Sequence, residues 1–253
     1  MDSKLATSYK NIMLILEYDG TGYHGWQRQR LEPTIQGVLE DRIQMMVHEP
    51  ITLIGSGRTD AGVHAKHQVC HFLTHTHIDP ESLRNGLNAL TPDDILIRKA
   101  DYVPLDFHSR YSVKSKVYEY QIWIRHEPNV FRRNFVWHVR QVLDVETMRQ
   151  CVSLLVGRHD FSTFRSSGSG NMDPVREMIH AEIRGPEDGI LTFIFEADGF
   201  LRHMIRNIVG TVVDVGRGRM GLVEFRDIFQ AKDRACAGFK APAQGLFLNM
   251  VKY

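Results

Sequence analysis

Residues Gly55–Ala65 read GSGRTDAGVHA and set one carboxylate, Asp60, one guanidinium, Arg58, and one imidazole, His64, among glycine, serine and alanine. Glycine lets another molecule come close to the main chain. An acid carried in such a loop can meet a substrate without a bulky neighbour in the way. Arg58 and Asp60 stand two apart, so on an extended segment their side chains point the same way. The guanidinium can then hold the carboxylate ionised. An ordinary surface turn has the same composition, and the residue types of the loop alone leave both readings open.

Two further residues invite chemistry. Tyr118 lies in an expected strand, Tyr111–Arg125, on the face that also carries Lys114, Lys116, Tyr120, Ile122 and Ile124. That face begins basic and ends apolar, and Tyr118 stands where it changes, which also suits a buried ring with a wet hydroxyl. Arg206 lies in an expected helix, Phe200–Val215, whose core stripe is Ile205, Ile208, Val209 and Val212. Arg206 is about 100° round from Ile205, with Arg202 one turn earlier on the same side. A solvated face accounts for both arginines. An arginine at the edge of a stripe is also partly desolvated, and there a bidentate carboxylate pair is strongest.

The elements that must position these residues follow from periodicity. KNIMLILEY, residues 10–18, reads as a buried strand ended by Asp19-Gly20. A helix is expected over Thr34–His48, with Thr34 as N-cap and Glu49-Pro50 as its stop. Ile51–Gly55 should be a short strand entering the glycine-rich loop, and Gln68–Thr74 another leaving it. Pro80–Leu90 reads as a helix and Ile95–Val103 as a strand, giving β-α-β-β-α-β. The second half repeats the plan: strand Tyr111–Arg125, helix Asp144–Leu155, a hairpin of Val175–Arg184 and Ile190–Asp198 across residues 185–189, helix Phe200–Val215, a shorter helix near Leu222–Ala231, and strand Leu246–Val251. The expected fold class is α+β: two ferredoxin-like (RRM-like) halves with mixed antiparallel sheets flanking a central active-site cleft. The halves are 1–105, with the Asp60 loop, and 106–253. Ser166–Asn171, SSGSGN, reads as a mobile loop.

The chain has 253 residues and a formal charge of +1, so a basic nucleic-acid surface would have to be local. Its start has no apolar stretch of signal-peptide length, and its longest aliphatic run, Ile12–Leu16, is too short to span a bilayer, so a cytoplasmic protein is expected. Three scattered cysteines, Cys70, Cys151 and Cys236, suit reduced thiols better than a disulfide framework. His64, His67, His71, His75 and His77 match no metal-ligand spacing and are read as surface and loop residues, with no metal expected. GTGYHG, Gly20–Gly25, copies the dinucleotide pattern, but that fingerprint needs a helix to open at once, and WQRQRLEP intervenes. A loop with Tyr23, His24, Trp26, Arg28 and Arg30 is better suited to stacking on bases and touching phosphates.

GRTDAGVHA resembles, nearly letter for letter, the signature of the TruA-type tRNA pseudouridine synthases. Further matching segments are Tyr18-Asp19-Gly20, Gly25-Trp26-Gln27-Arg28-Gln29, Phe107-His108, Asp160-Phe161-Ser162, Phe164-Arg165, FLRHMIRNIVG and Ala241–Leu246. The resemblance runs from about residue 12 to the C-terminus. Ser56 and His24 depart from the family pattern, neither at a catalytic position, and Arg202 falls where relatives vary.

The resemblance implies isomerisation of uridine to pseudouridine in the anticodon stem-loop, at tRNA positions 38–40. It implies Asp60 as catalytic acid or nucleophile, Arg206 as its ion-pair partner and Tyr118 against the target base, with attack on the sugar and removal of a sugar proton both open. Arg58, Tyr118, Arg28, Arg165 and Leu246 are the implied substrate contacts. The implied partners are tRNA and a second copy of the chain, with no cofactor. A non-catalytic RRM-type protein would carry the aromatic RNP1 pattern, which is missing here.

Overall fold

The computed structural model describes residues 9–166, 168 and 173–253. Most of the expected loop Ser166–Asn171 lies outside them. The chain divides into two compact units, one running to Val113 and including Tyr253, the other Lys114–Lys252.

In the first unit β1 (Lys10–Tyr18) is followed by α1 (Ile35–Val47), β2 (Ile54–Gly55), β3 (His64–Thr74), α2 (Pro80–Leu90) and β4 (Ile95–Val103). β1 pairs antiparallel with β3 on one side and β4 on the other, and β2 pairs with β3, so the order is β4-β1-β3-β2. β1 buries Ile12, Leu14, Leu16 and Tyr18, the alternation of a strand with one core face. Thr34 caps α1 by accepting the Gly37 N–H at 3.2 Å. Ile35, Leu39 and Ile43 turn inward at helical spacing. His48, with φ 55°, ends the helix in the left-handed region before Glu49-Pro50. Asp79 caps α2 on the Ser82 N–H at 3.0 Å, with Pro80 at the first position.

Two expectations shift here. β2 shrinks to Ile54–Gly55, and β3 opens at His64 rather than Gln68. β3 is nearly continuously buried, so His64 and His71 are interior residues, 1% and 5% exposed, and not the surface or loop histidines expected. His71 Nδ1 lies 2.9 Å from the Ser109 hydroxyl, and burial, with the nearby His108, lowers its pKa to about 4.

The second unit runs β5 (Ser115–Trp123), β6 (Trp137–His138), α3 (Val145–Ser153), β7 (Gly157–Asp160), a 3-10 turn at Ser162–Phe164, β8 (Val175–Glu187), β9 (Ile190–Ala197), α4 (Met204–Gly216), α5 (Leu222–Ala231), two further 3-10 turns and β10 (Leu246–Lys252). The antiparallel order is β10-β5-β9-β8-β7, with β6 parallel on β5. Strands β10, β5, β9 and β8 repeat the arrangement of β4, β1, β3 and β2, so the β-α-β-β-α-β plan recurs and the fold is α+β. β5 is shorter than expected because the Tyr111 and Ser112 amides turn back onto the His108 carbonyl at 3.1 and 2.9 Å. The hairpin turn tightens to Asp188-Gly189, both with positive φ, as a two-residue loop requires.

Candidate active site

The Asp60 loop is fastened from three directions within the first unit. From β1, the Tyr18 hydroxyl shares a buried hydrogen bond with the Thr59 hydroxyl at 2.8 Å. From β3, Gln68 accepts from the Ser56 hydroxyl at 2.6 Å and donates to the Gly57 carbonyl at 3.0 Å. From the preceding loop, the Trp26 amide donates to the Thr59 carbonyl at 3.0 Å and Gly62 donates to the Tyr23 carbonyl at 3.3 Å. Burial pushes the Tyr18 phenol far up its titration range, against the pull of hydrogen bonds from Thr59 and Gln68. Asp60 is half-buried and Arg58 exposed, with buried Thr59 between them. A carboxylate on a backbone this constrained is carried at a defined place.

Glycine makes the close approach feasible. A Cβ on Gly20 would meet the Val63 carbonyl oxygen at 2.0 Å, and one on Gly55 would meet the Trp26 ring at 2.6 Å. Trp26, 2% exposed, seats on that bare backbone. Truncating it to alanine would cost about 3–5 kcal/mol.

The Gly20–Gly25 pattern does not build a phosphate cradle. The first amides of α1 are occupied: Ile35 donates to the Gly25 carbonyl at 3.2 Å, Gln36 to the Trp26 carbonyl at 3.0 Å, and Gly37 to Thr34. A helix N-terminus binds phosphate through amides left without partners, and these have partners. Arg28, expected to face substrate, is also engaged internally. Its Nε donates to Glu40 at 2.7 Å, its Nη2 donates to the Gly37 carbonyl at 3.0 Å and meets Asp41, and the two carboxylates raise its pKa, Asp41 most.

In the second unit, Tyr118 sits on β5 opposite Phe195 of β9 and Leu248 of β10, with its ring in an edge contact with Phe200 at 5.0 Å. It is 8% exposed. Leu246 is buried opposite Tyr120. All of α4 is buried, so Arg206 is not at the edge of a solvated face but inside, 9% exposed. Its Nε donates to the Ala241 carbonyl at 2.8 Å, and the Tyr120 hydroxyl donates to the Pro242 carbonyl at 2.8 Å. The Ala241–Leu246 segment is thereby held between Arg206 and Tyr120, and burial raises the Tyr120 phenol although the Arg206 charge opposes this. Gly210 allows the close fit, because a Cβ there would meet the Phe239 carbonyl oxygen at 1.8 Å. Arg165 is half-buried where the Ser162–Phe164 turn ends, its amide donating to the Ser162 carbonyl at 3.1 Å. The structure thus groups Arg58 with Asp60 on one loop, and Arg206 with Leu246 through Tyr120 and the 241–246 segment, while Arg28 lies with Glu40 and Asp41.

A family model described as tRNA pseudouridine synthase matches residues 14–112 and 151–253, most of the chain. The chain belongs to the tRNA pseudouridine synthase family. Its activity class is that of the family, an isomerase. Among curated relatives, tRNA pseudouridine synthase A of Thermoanaerobacter sp. (strain X514) is 44% identical over 244 residues, covering 96% of this chain and 100% of its own. The proteins of that name from Acetivibrio thermocellus and Syntrophotalea carbinolica are each 43% identical, again over 96% of this chain.

Spacing alone assigns no role to Tyr18, Thr59 or Gln68 in this pseudouridine synthase family member, although Tyr18 and Thr59 stand in matching segments. The available signal was a polar tip at the end of an otherwise aliphatic alternation, Ile12, Leu14, Leu16, Tyr18. Among the described residues no group of three or more His, Cys, Asp or Glu is arranged to hold a metal ion. No helix among them is long and apolar enough to cross a membrane.

Proposed function

We propose that the chain isomerises uridine to pseudouridine in the anticodon stem-loop of tRNA, at positions 38–40, with Asp60 engaging the target nucleotide. The reaction breaks the N1–C1′ bond, turns the base and forms a C5–C1′ bond. The C5 proton is lost and N1 gains one, so no oxidant and no group donor take part. The target must leave its stack to be reached, which calls for an aromatic surface beside the acid. In this reading Asp60 belongs to the N-terminal half, 1–105. The C-terminal half, 106–253, contributes Tyr118 to stack on the base and assist proton transfer at C5, and Arg206 to keep the catalytic carboxylate ionised. Arg58, Arg28, Arg165 and Leu246 complete the substrate contacts. The enzyme works in the cytoplasm as a homodimer, two copies offering a long folded RNA the surface one copy lacks.

The observation that carries the reading is the Asp60 loop: a half-buried carboxylate on a backbone fastened by buried side chains from β1 and β3. Family membership supplies the reaction class. The test is Asp60→Asn, which keeps shape and removes charge. The variant should bind unmodified tRNA and form no pseudouridine. Near-normal turnover would end the assignment.

A further inference from the structure

We infer that Tyr18 is a positioning residue for the catalytic loop, acting through the hydroxyl of Thr59, the residue before Asp60; the inference rests on the catalytic role proposed for Asp60. Tyr18 is the last residue of β1, 4% exposed, and its hydroxyl reaches 2.8 Å from Thr59 Oγ1. The β1–β3 register shifts between Leu16 and Tyr18, so Tyr18 meets Ala65 rather than the residue that regular pairing would bring. A register shift bends a strand locally and re-aims the side chain that follows it. Here that side chain is aimed at the loop.

Thr59 is itself 7% exposed, and its carbonyl is taken by the Trp26 amide at 3.0 Å. Its backbone and side chain are thus tied to two different segments, the Trp26 loop and the end of β1. Asp60 follows directly and is less buried. Fixing the φ and ψ of the preceding residue sets the direction in which the carboxylate leaves the chain, without any contact to the carboxylate. Gln68, which also lies within hydrogen-bond reach of the Tyr18 hydroxyl, secures Ser56 and Gly57 through its own bonds to them. Losing that hydroxyl therefore loosens chiefly the Thr59–Asp60 stretch and leaves the start of the loop anchored. Catalytic groups displaced by about an ångström can lose on the order of 100-fold in rate.

The experiment uses the full chain and unmodified tRNA, with Tyr18→Phe, Thr59→Val, the double variant and Asp60→Asn measured together. Tyr18→Phe keeps the ring and its packing. It should lower kcat by about 10- to 100-fold, while KM and tRNA affinity move less than about twofold and the protein stays folded at the assay temperature. Thr59→Val should lose a similar factor, and the double variant no more than the worse single one, because both remove one shared bond. Full multiplication of the two losses would overturn the inference, as would unchanged kcat in Tyr18→Phe. A kcat loss matched by the unfolded fraction in thermal melts would reduce Tyr18 to a fold residue and also overturn it. Asp60→Asn separates the two ideas: if it retains turnover, the catalytic reading fails, and if it alone is inactive while Tyr18→Phe is normal, only the positioning inference fails.

Discussion

Arg206 and Ala241 exchange two hydrogen bonds: Arg206 Nε donates to the Ala241 carbonyl at 2.8 Å, and the Ala241 amide donates to the Arg206 carbonyl at 3.0 Å. An arginine oriented through Nε has its planar head fixed by the backbone it touches. Lysine carries the charge but has neither that nitrogen nor the fork. Arg206→Lys should therefore lower turnover by about 100-fold with little change in tRNA affinity. If affinity fell and bound-state turnover did not, Arg206 would be a phosphate contact instead.

Gly20 and Gly22 give a matched pair. A Cβ on Gly20 would stand 2.0 Å from the Val63 carbonyl oxygen, while one on Gly22 would meet nothing within 4 Å. Gly20→Ala should cost about 1–3 kcal/mol through overpacking against backbone, and should slow turnover because Val63 belongs to the Asp60 loop. Gly22→Ala should stay within about 0.5 kcal/mol. Urea unfolding with a pseudouridine assay reads both, and equal behaviour of the two variants would contradict this account of the loop.

The local signals in the sequence were reliable where they report local physics. Thr34 caps the helix it was expected to cap, and the hairpin turns within residues 185–189, at Asp188-Gly189. The signals failed where tertiary packing decides. β3 begins four residues early because the end of the signature loop already pairs with β1, Ala65 opposite Tyr18. α4 begins at Met204 rather than Phe200 because His203 takes a left-handed φ of 61°. The stripe placed Arg206 at the edge of a core face, with a solvated face and partial desolvation both open, and α4 has no solvated face. Spacing in the sequence could nominate Asp60, but the fastening by Tyr18 and Gln68 depends on strand register, which spacing does not encode. Spacing likewise does not show the ties of Arg28 to Glu40 and Asp41, which approach it only once α1 has formed.

His71 makes stability depend on pH. Its pKa is lowered to about 4, first by burial and then by His108, whose ring lies 4.9 Å away. A histidine depressed on folding stabilises fully above its unfolded pKa of about 6.5 and loses that contribution as pH falls toward the folded value. Between pH 7 and pH 5 the chain should lose about 1–2 kcal/mol on this account. His71→Gln should be less stable at pH 7 and lack this part of the slope. Urea midpoints at the two pH values measure it, and parallel slopes would assign the acid sensitivity elsewhere.

Arg28 and Arg165 should differ in how they hold tRNA. Phosphate contacts make affinity fall with salt, each adding nearly one to the slope of log K against log salt. Arg30, Arg132, Arg133 and Arg158 stand, like Arg165, outside the main helices and in or beside loops, or on the short strand β7. Arg165→Gln should reduce the slope by about one and weaken binding more than it slows turnover of bound tRNA. Arg28→Gln strips Glu40 and Asp41 of their shared cation. Stability should fall by about 1 kcal/mol, the modest size expected of a partly exposed network. Binding should weaken as well, since two carboxylates are left without that cation near the RNA surface. Light scattering should give twice the mass of one chain for both variants, as for the parent protein. A monomer with full activity would remove the dimer from the proposal. An unchanged salt slope in Arg165→Gln would remove that residue from the tRNA contacts, and neither result would touch the role assigned to Asp60.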